Sequence, residues 1–248
     1  MTLTWKNEAE ALLRGIAPDP QDLGERPVYL VTEKELTAST DPNCYGCTSG
    51  VFDLKLRRRL EGAGRWAGRG FACLVCEQRI FGEFAGQADR IARFLRNVVL
   101  HEFAHWITWS AMHVGPTVNW PGGDVFDYGA RFADAGEQPA FQPVPATKPW
   151  DGHGADFIRA ACHVADRARE SGCRVWVGDL DVADHYYGLS PVFLYSISLA
   201  DELDRRRHEP LRQILASPPP TAFQDLFDAD VLASQQRTND AQERNVAA

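Results

Sequence analysis

The chain is organised around the sequence Asn97-Val98-Val99-Leu100-His101-Glu102-Phe103-Ala104-His105-Trp106. It lies within a run from about Gln87 to Met112 that contains neither proline nor glycine. Apolar residues recur along this run close to a helical period. They are Ile91, Phe94, Leu95, Val98, Val99, Phe103, Trp106 and Ile107. The recurrence predicts one long amphipathic helix with one face turned towards a core.

Two histidines stand four residues apart on this helix, at positions 101 and 105. Residues at that spacing lie one above the other on the same face, so both imidazoles can bind one metal ion. Two neutral imidazole nitrogens suit zinc. Glu102 cannot easily join the same coordination shell, but it can reach a zinc-bound water as a general base. The H-E-x-x-H pattern therefore predicts His101 and His105 as zinc ligands and Glu102 as the catalytic residue.

The best candidate for a third ligand is His153, in the stretch Trp150-Asp151-Gly152-His153-Gly154-Ala155-Asp156-Phe157. Glycines on both sides of it let the backbone approach a metal closely. The stretch opens a predicted helix with an apolar face formed by Phe157, Ala161, Val164 and Ala168. His113 is a weaker candidate because it lies off the ligand face of the first helix. We expect one Zn²⁺ ion bound by three histidines.

The composition is that of an ordinary globular protein. The chain has 248 residues, of which 44% are hydrophobic and 24% charged, enough to bury one substantial core. A net charge of -8 argues against charge-driven nucleic-acid binding over the whole surface. No run approaches the roughly eighteen apolar residues of a transmembrane helix, and the N-terminus does not resemble a secretory signal. We therefore expect a cytoplasmic protein without membrane association.

The rest of the chain predicts short strands and further helices around the metal helix. Strands are expected at 27–32, 51–56, 70–76 and 174–178, and helices at 4–16, 191–207 and 210–216. The strand at 70–76 directly precedes the metal helix, and its free edge could pair with an extended substrate. These elements predict an α+β fold with a small mixed or antiparallel sheet packed on the H-E-x-x-H helix, plus accessory helices.

We divide the chain into an N-terminal helical extension at 1–24, a main domain at 25–232 and a polar tail at 233–248. The tail is expected to be disordered because it holds few apolar residues. Within the main domain, 113–150 is a proline-rich insertion between the two metal motifs. A long irregular segment at this place suggests a cleft wall or lid.

Three other groups of residues have a functional and a structural interpretation. Cys44, Cys47, Cys73 and Cys76 form two C-x-x-C pairs that could bind a second metal, although buried thiols are the default. The segment Arg57–Arg69, with Trp66, could bind nucleic acid, but a solvated face is favoured. His185, Tyr186 or Tyr187 could stabilise an oxyanion, although core packing is the more common role.

The pattern His101-Glu102-Phe103-Ala104-His105, followed by His153-Gly154-Ala155-Asp156-Phe157, resembles the SprT-like (Spartan-type) zinc metallopeptidases. That family shows H-E-x-x-H and a downstream H-G-x-x-F. The resemblance covers about residues 25–170 and implies a small zincin core there, within the zincin-like domain at 25–232, with the same three histidines and Glu102 in their roles. The separation between the motifs is longer here, and no cysteine follows Cys173 that could form a C-terminal zinc ribbon. The family's link to DNA is not transferred to this chain.

The sequence thus predicts a zinc metallopeptidase that hydrolyses peptide bonds in a protein or peptide substrate. Two alternatives stay open. One is a non-catalytic, zinc-stabilised interaction module, against which the intact Glu102 argues. The other is a nucleic-acid-associated protein that uses the Arg57–Arg69 patch and a second, cysteine-bound zinc.

Overall fold

The computed structural model describes residues 2–36, 45–47, 50–68, 70–112, 153–180, 182 and 191–246. Over these ranges the protein combines helices with a small mixed sheet, so it is α+β as predicted. In chain order the elements are α1 (Thr2–Ile16), β1 (Val28–Thr32), α2 (Glu33–Leu36), β2 (Gly46–Cys47), α3 (Gly50–Gly62), β3 (Phe71–Val75), α4 (Glu77–Glu83), α5 (Ala88–Met112), α6 (Ala155–Glu170), a 3₁₀ turn (Val177–Leu180), α7 (Phe193–Ser198), α8 (Ala200–Arg205), α9 (Leu211–Leu215) and α10 (Thr221–Val246).

The sheet has the strand order β1-β3-β2. β1 runs parallel to β3 with Val28 opposite Phe71, and β2 runs antiparallel to it with Gly46 opposite Val75. The predicted strand before the metal helix is confirmed as β3, and all of its residues are buried. The prediction that it offers a free edge to a substrate is wrong, because neighbouring strands pair with both of its edges.

Alternation along β3 places the sheet between two hydrophobic layers. Phe71, Cys73 and Val75 point into the main core, together with α5 and α6. Ala72 and Leu74 point the other way, into a smaller cluster that also contains Val31, Leu56 and Leu60. The sheet is therefore covered by α5 on one face and by α3 on the other.

The predicted strand at Val51–Leu56 is wrong, since this segment belongs to helix α3. Its local alternation of apolar and polar residues resembled a half-buried strand. The helical signal lies further along, where Leu56 and Leu60 stand four residues apart and are both buried. Arg57 and Glu61 form an ion pair at the same spacing, which supports the helix.

The helices at the centre of the molecule form as predicted. Helix α5 spans Ala88–Met112, close to the expected run, and α6 begins at Ala155 directly after Gly154. On α6 the buried residues include Phe157, Ala160, Ala161, Val164, Ala165 and Ala168. Helix α1 lies in the same core through Trp5, Ala9, Leu13 and Ile16.

Two further predictions differ from the structure after α6. The predicted strand at Arg174–Gly178 is wrong, because Val177–Leu180 is a 3₁₀ turn. The Asp179 carboxylate accepts the Trp176 N–H at 2.8 Å, a local hydrogen bond that favours a turn over a strand. The predicted helix at 191–207 is two helices, α7 and α8, separated at Leu199.

The polar tail also differs from expectation. Helix α10 continues through it to Val246, over a stretch rich in Ala, Gln, Glu and Arg, which have high helix propensity. In the described part of the chain, no helix has both the length and the apolar character needed to cross a membrane.

Candidate metal centre

The three predicted ligands lie together in the structure. Helix α5 places His101 and His105 one turn apart, and their Nε2 atoms are 3.1 Å from each other. His153 comes from the segment just before α6, and all three residues have a ring nitrogen within 4.8 Å of the others. Each of the three side chains is half-buried. The cluster could therefore hold a metal ion between helices α5 and α6.

A backbone carbonyl fixes the orientation of the first ligand. Nδ1 of His101 lies 2.5 Å from the carbonyl oxygen of Leu180. A carbonyl can only accept a hydrogen bond, so Nδ1 carries the proton and Nε2 keeps its lone pair for a metal. Leu180 ends the 3₁₀ turn and is itself buried. A partner of this kind leaves no mark in the sequence, because any residue has a carbonyl.

The second ligand is held in its unprotonated form. Burial, together with the nearby imidazoles of His101 and His153, lowers the pKa of His105 to about 2. A protonated imidazole cannot bind a metal, whereas a neutral one can. His105 is therefore neutral at pH 7 and can bind a cation.

An aromatic ring packs against all three imidazoles. Phe157 stacks on His105 and His153, with ring centroids 4.1 Å and 4.6 Å away. It meets His101 edge-on at 5.1 Å. This phenylalanine is the last residue of the H-G-x-x-F motif and is 2% exposed. Its ring covers the side of the imidazoles that faces it and restricts their movement.

Glu102 lies next to the cluster without belonging to it. Its side chain is buried, at 6% exposure, although it is a carboxylate. It is not among the residues whose ligand atoms converge in the described part of the chain. Strand β2 approaches it from the sheet side: a Cβ atom built on Gly46 would lie 3.4 Å from Oε1 of Glu102.

The structure describes only some of the other candidate residues. Cys73 and Cys76 are buried, but Cys44 and the side chain of Cys47 lie outside the described residues, so the second metal site stays a prediction. The insertion at 113–150 and the residues His185, Tyr186 and Tyr187 are also outside this part of the chain.

The Arg57–Arg69 patch is partly engaged within the protein. Trp66 stacks on Tyr29 at 5.5 Å, and the Arg57 guanidinium lies over the Trp66 ring at the same distance. Arg57 also pairs with Glu61 at 2.8 Å. One face of the tryptophan that was a candidate for stacking on a nucleic-acid base is thus already covered by a protein ring.

Comparison with known proteins provides no relative for this site. No protein-family model, no curated protein and no solved structure matches the chain. The chemistry of the site therefore has to follow from its own residues.

Proposed function

We propose that this protein is a zinc-dependent peptidase in which His101, His105 and His153 hold the ion. The donor set fits zinc, which prefers neutral imidazole nitrogens at about 2.0–2.1 Å. Two ligands of a tetrahedral ion at that distance lie about 3.3 Å apart. The 3.1 Å between the Nε2 atoms of His101 and His105 is close to this separation.

The observation that carries the proposal is the position of Glu102. Burial of a carboxylate costs free energy, and a metal that only stabilises a fold does not need one beside its ligands. Here a carboxylate at 6% exposure sits next to three converging imidazoles and is not one of them. This is the place that a general base for hydrolysis would occupy.

The chemistry follows from these residues. When bound, a zinc ion with three protein ligands lowers the pKa of a water at its open position and polarises a carbonyl oxygen. Glu102 accepts the proton of the attacking water as the water adds to the peptide carbonyl. The same carboxyl group then donates that proton to the leaving amine. Phe157 keeps the imidazoles in place throughout.

The resemblance to SprT-like metallopeptidases supports the same function. Both motifs that carry it meet at the cluster, since His101, His105 and His153 provide the converging nitrogens. A small mixed sheet packed against the metal helix is compatible with a zincin-like core. We accordingly propose that the described part of 25–232 forms such a core.

Replacement of Glu102 by Gln tests the proposal. The variant should keep its zinc and lose about 10²–10⁴-fold in turnover, the usual contribution of a general base. Cleavage of casein or of a peptide library should be compared with zinc content measured on the same sample. Glu61→Gln, on the exposed face of α3, is the matched control and should cleave like the wild type.

The outcome also decides between the proposal and a non-catalytic module. Wild-type protein that holds zinc but cleaves no substrate would favour the zinc-stabilised interaction module. Equal cleavage by Glu102→Gln and wild type would remove Glu102 from the mechanism.

A further inference from the structure

The short strand β2 passes very close to the face of α5 that carries Glu102. A Cβ atom built on Gly46 would overlap Cγ1 of Val98 and would lie 3.2 Å from the carbonyl oxygen of Leu74. Val98 and Glu102 are four residues apart, so they are neighbours on one face of α5. A side chain at position 46 therefore fits only if Val98, the Leu74 backbone or β2 itself moves.

The residue before Gly46 anchors the strand. The Tyr45 hydroxyl donates to the Glu83 carboxylate at 2.6 Å, and its ring lies under the Arg79 guanidinium at 3.8 Å. The same ring packs edge-on against Phe94 of α5 at 4.8 Å. The Tyr45 carbonyl also accepts the Cys76 N–H at 2.8 Å. These contacts hold β2 against α4, α5 and the end of β3.

We propose that Gly46 is a positioning residue for Glu102, an inference that rests on the proposed function. Because Tyr45 anchors the strand and Gly46 has no side chain, the backbone of β2 lies so close to Glu102 that a Cβ atom at position 46 would touch its Oε1. This proximity limits the positions that the carboxylate can take beside the histidine cluster. A side chain at position 46 would push β2 away from Val98 and, with it, away from Glu102.

The clash with Val98 provides a test by rescue. Gly46→Ala should bind one zinc ion per chain, as the wild type does, but its kcat should fall at least tenfold with little change in KM. Gly46→Ala combined with Val98→Ala removes the overlapping methyl group and should regain most of the kcat. Val98→Ala alone and Gly82→Ala, a helical glycine with open space around it, are the controls.

A second measurement is independent of turnover. With cobalt in place of zinc, Gly46→Ala should shift the visible absorption bands in the same direction as Glu102→Gln, and the double variant should reverse the shift. If neither the wild type nor any variant cleaves peptides, the proposed function fails, and the cobalt spectra alone decide the role of Gly46.

Three results would overturn the inference. They are wild-type kcat and spectrum in Gly46→Ala, a defect in Gly46→Ala that the second substitution does not relieve, and loss of the metal from Gly46→Ala. The last would mean that position 46 acts on the ligands or the fold rather than on Glu102. Circular dichroism on each variant ensures that only folded protein is compared.

Discussion

At the level of single residues, Phe157 connects the apolar core with the histidine cluster. Its ring packs against three imidazoles that must keep a fixed geometry to bind one ion. Groups that orient metal ligands contribute to affinity even though they never touch the metal. The motif phenylalanine should therefore influence zinc affinity as well as stability.

Substitution of Phe157 by Leu tests this role. The shorter aliphatic side chain keeps the site apolar but cannot stack on two rings, so we expect zinc affinity to fall about 10–100-fold. Competition with a chelator of known affinity measures the change. Phe223→Leu is the matched control, because Phe223 is also fully buried but packs on Tyr195 instead. Equal zinc affinity in the two variants would rule out an orienting role for Phe157.

The sequence was sufficient to predict which three histidines converge, but not what surrounds them. His101, Glu102, His105 and His153 follow from spacing on a helix and from glycines around a histidine, which are local properties. The Leu180 carbonyl and the approach of Gly46 to Glu102 depend on which backbone segments meet in space. A lone glycine or a carbonyl has no pattern that would reveal such a meeting.

At the scale of elements, α6 is tied to the C-terminal helices by a buried polar cluster. Arg159 and His163 of α6 both bind the carboxylate of Glu202 on α8, at 2.7 Å and 2.9 Å. Arg159 also donates to the Ser217 carbonyl at 2.7 Å. Glu202 is buried, although Asp201, Asp204 and Arg205 beside it in the sequence are exposed.

Replacement of Glu202 by Gln should be strongly destabilising. It leaves the buried Arg159 guanidinium without a counter-charge, which typically costs about 3–5 kcal/mol in the free energy of unfolding. Denaturant unfolding of the wild type and the variant measures the difference. Glu209→Gln, at a partly exposed pair with Arg206, should leave the unfolding midpoint almost unchanged. A small effect at Glu202 would mean that the cluster contributes little to holding α6.

Whether an element was predicted correctly depends on how local its signal is. Helix α5 follows from a long apolar pattern and strand β3 from a short run of apolar residues, and no other segment has to complete either signal. Helix α3 was missed because the alternation over Val51–Leu56 resembles a strand. The helical spacing of Leu56 and Leu60 is a weaker signal. The 3₁₀ turn was missed because the Asp179 side chain, rather than apolar spacing, sets its conformation. Burial of Glu202 could not be predicted from its neighbours in the sequence, because it depends on Arg159 and His163, which lie far away in the chain.

At the scale of the whole molecule, the two ends of the chain meet around α6. The Asp22 carboxylate accepts the N–H groups of Leu211 and Arg212, at 2.6 Å and 3.0 Å, and so caps helix α9. Arg167 of α6 donates to the carbonyls of Ile16 and Glu209. The helix that follows the third ligand is therefore fixed by segments from both ends of the chain.

The buried pair of His163 and Glu202 should make the metal-free protein sensitive to acid. Burial lowers the pKa of His163 below its ordinary value of 6.5, although Glu202 opposes the shift. Stability is therefore fully present above pH 6.5 and falls as the pH drops, because only the unfolded chain takes up the proton. Burial would raise the pKa of Glu202, but hydrogen bonds from His163 and Arg159 lower it to about 2, so a further loss begins below pH 4.5.

The direction of this pH dependence can be tested by measuring the unfolding of metal-free wild type and His163→Gln at several pH values. Between pH 6.5 and 5 the wild type should lose up to about 1.4 kcal/mol per pH unit more than the variant, the limit for one proton. The contribution of His105 is present in both proteins and cancels in the difference. Identical pH slopes would mean that His163 is not kept neutral by the fold.

We propose that three histidines, two from α5 and one from the segment just before α6, form one zinc site. Metal bound per chain, measured by elemental analysis after dialysis, tests it most directly. We predict one zinc ion in the wild type and in His208→Ala, an exposed control histidine, and loss of most of the zinc from His153→Ala. Wild-type protein without stoichiometric zinc, or His153→Ala with its full zinc content, would contradict the account.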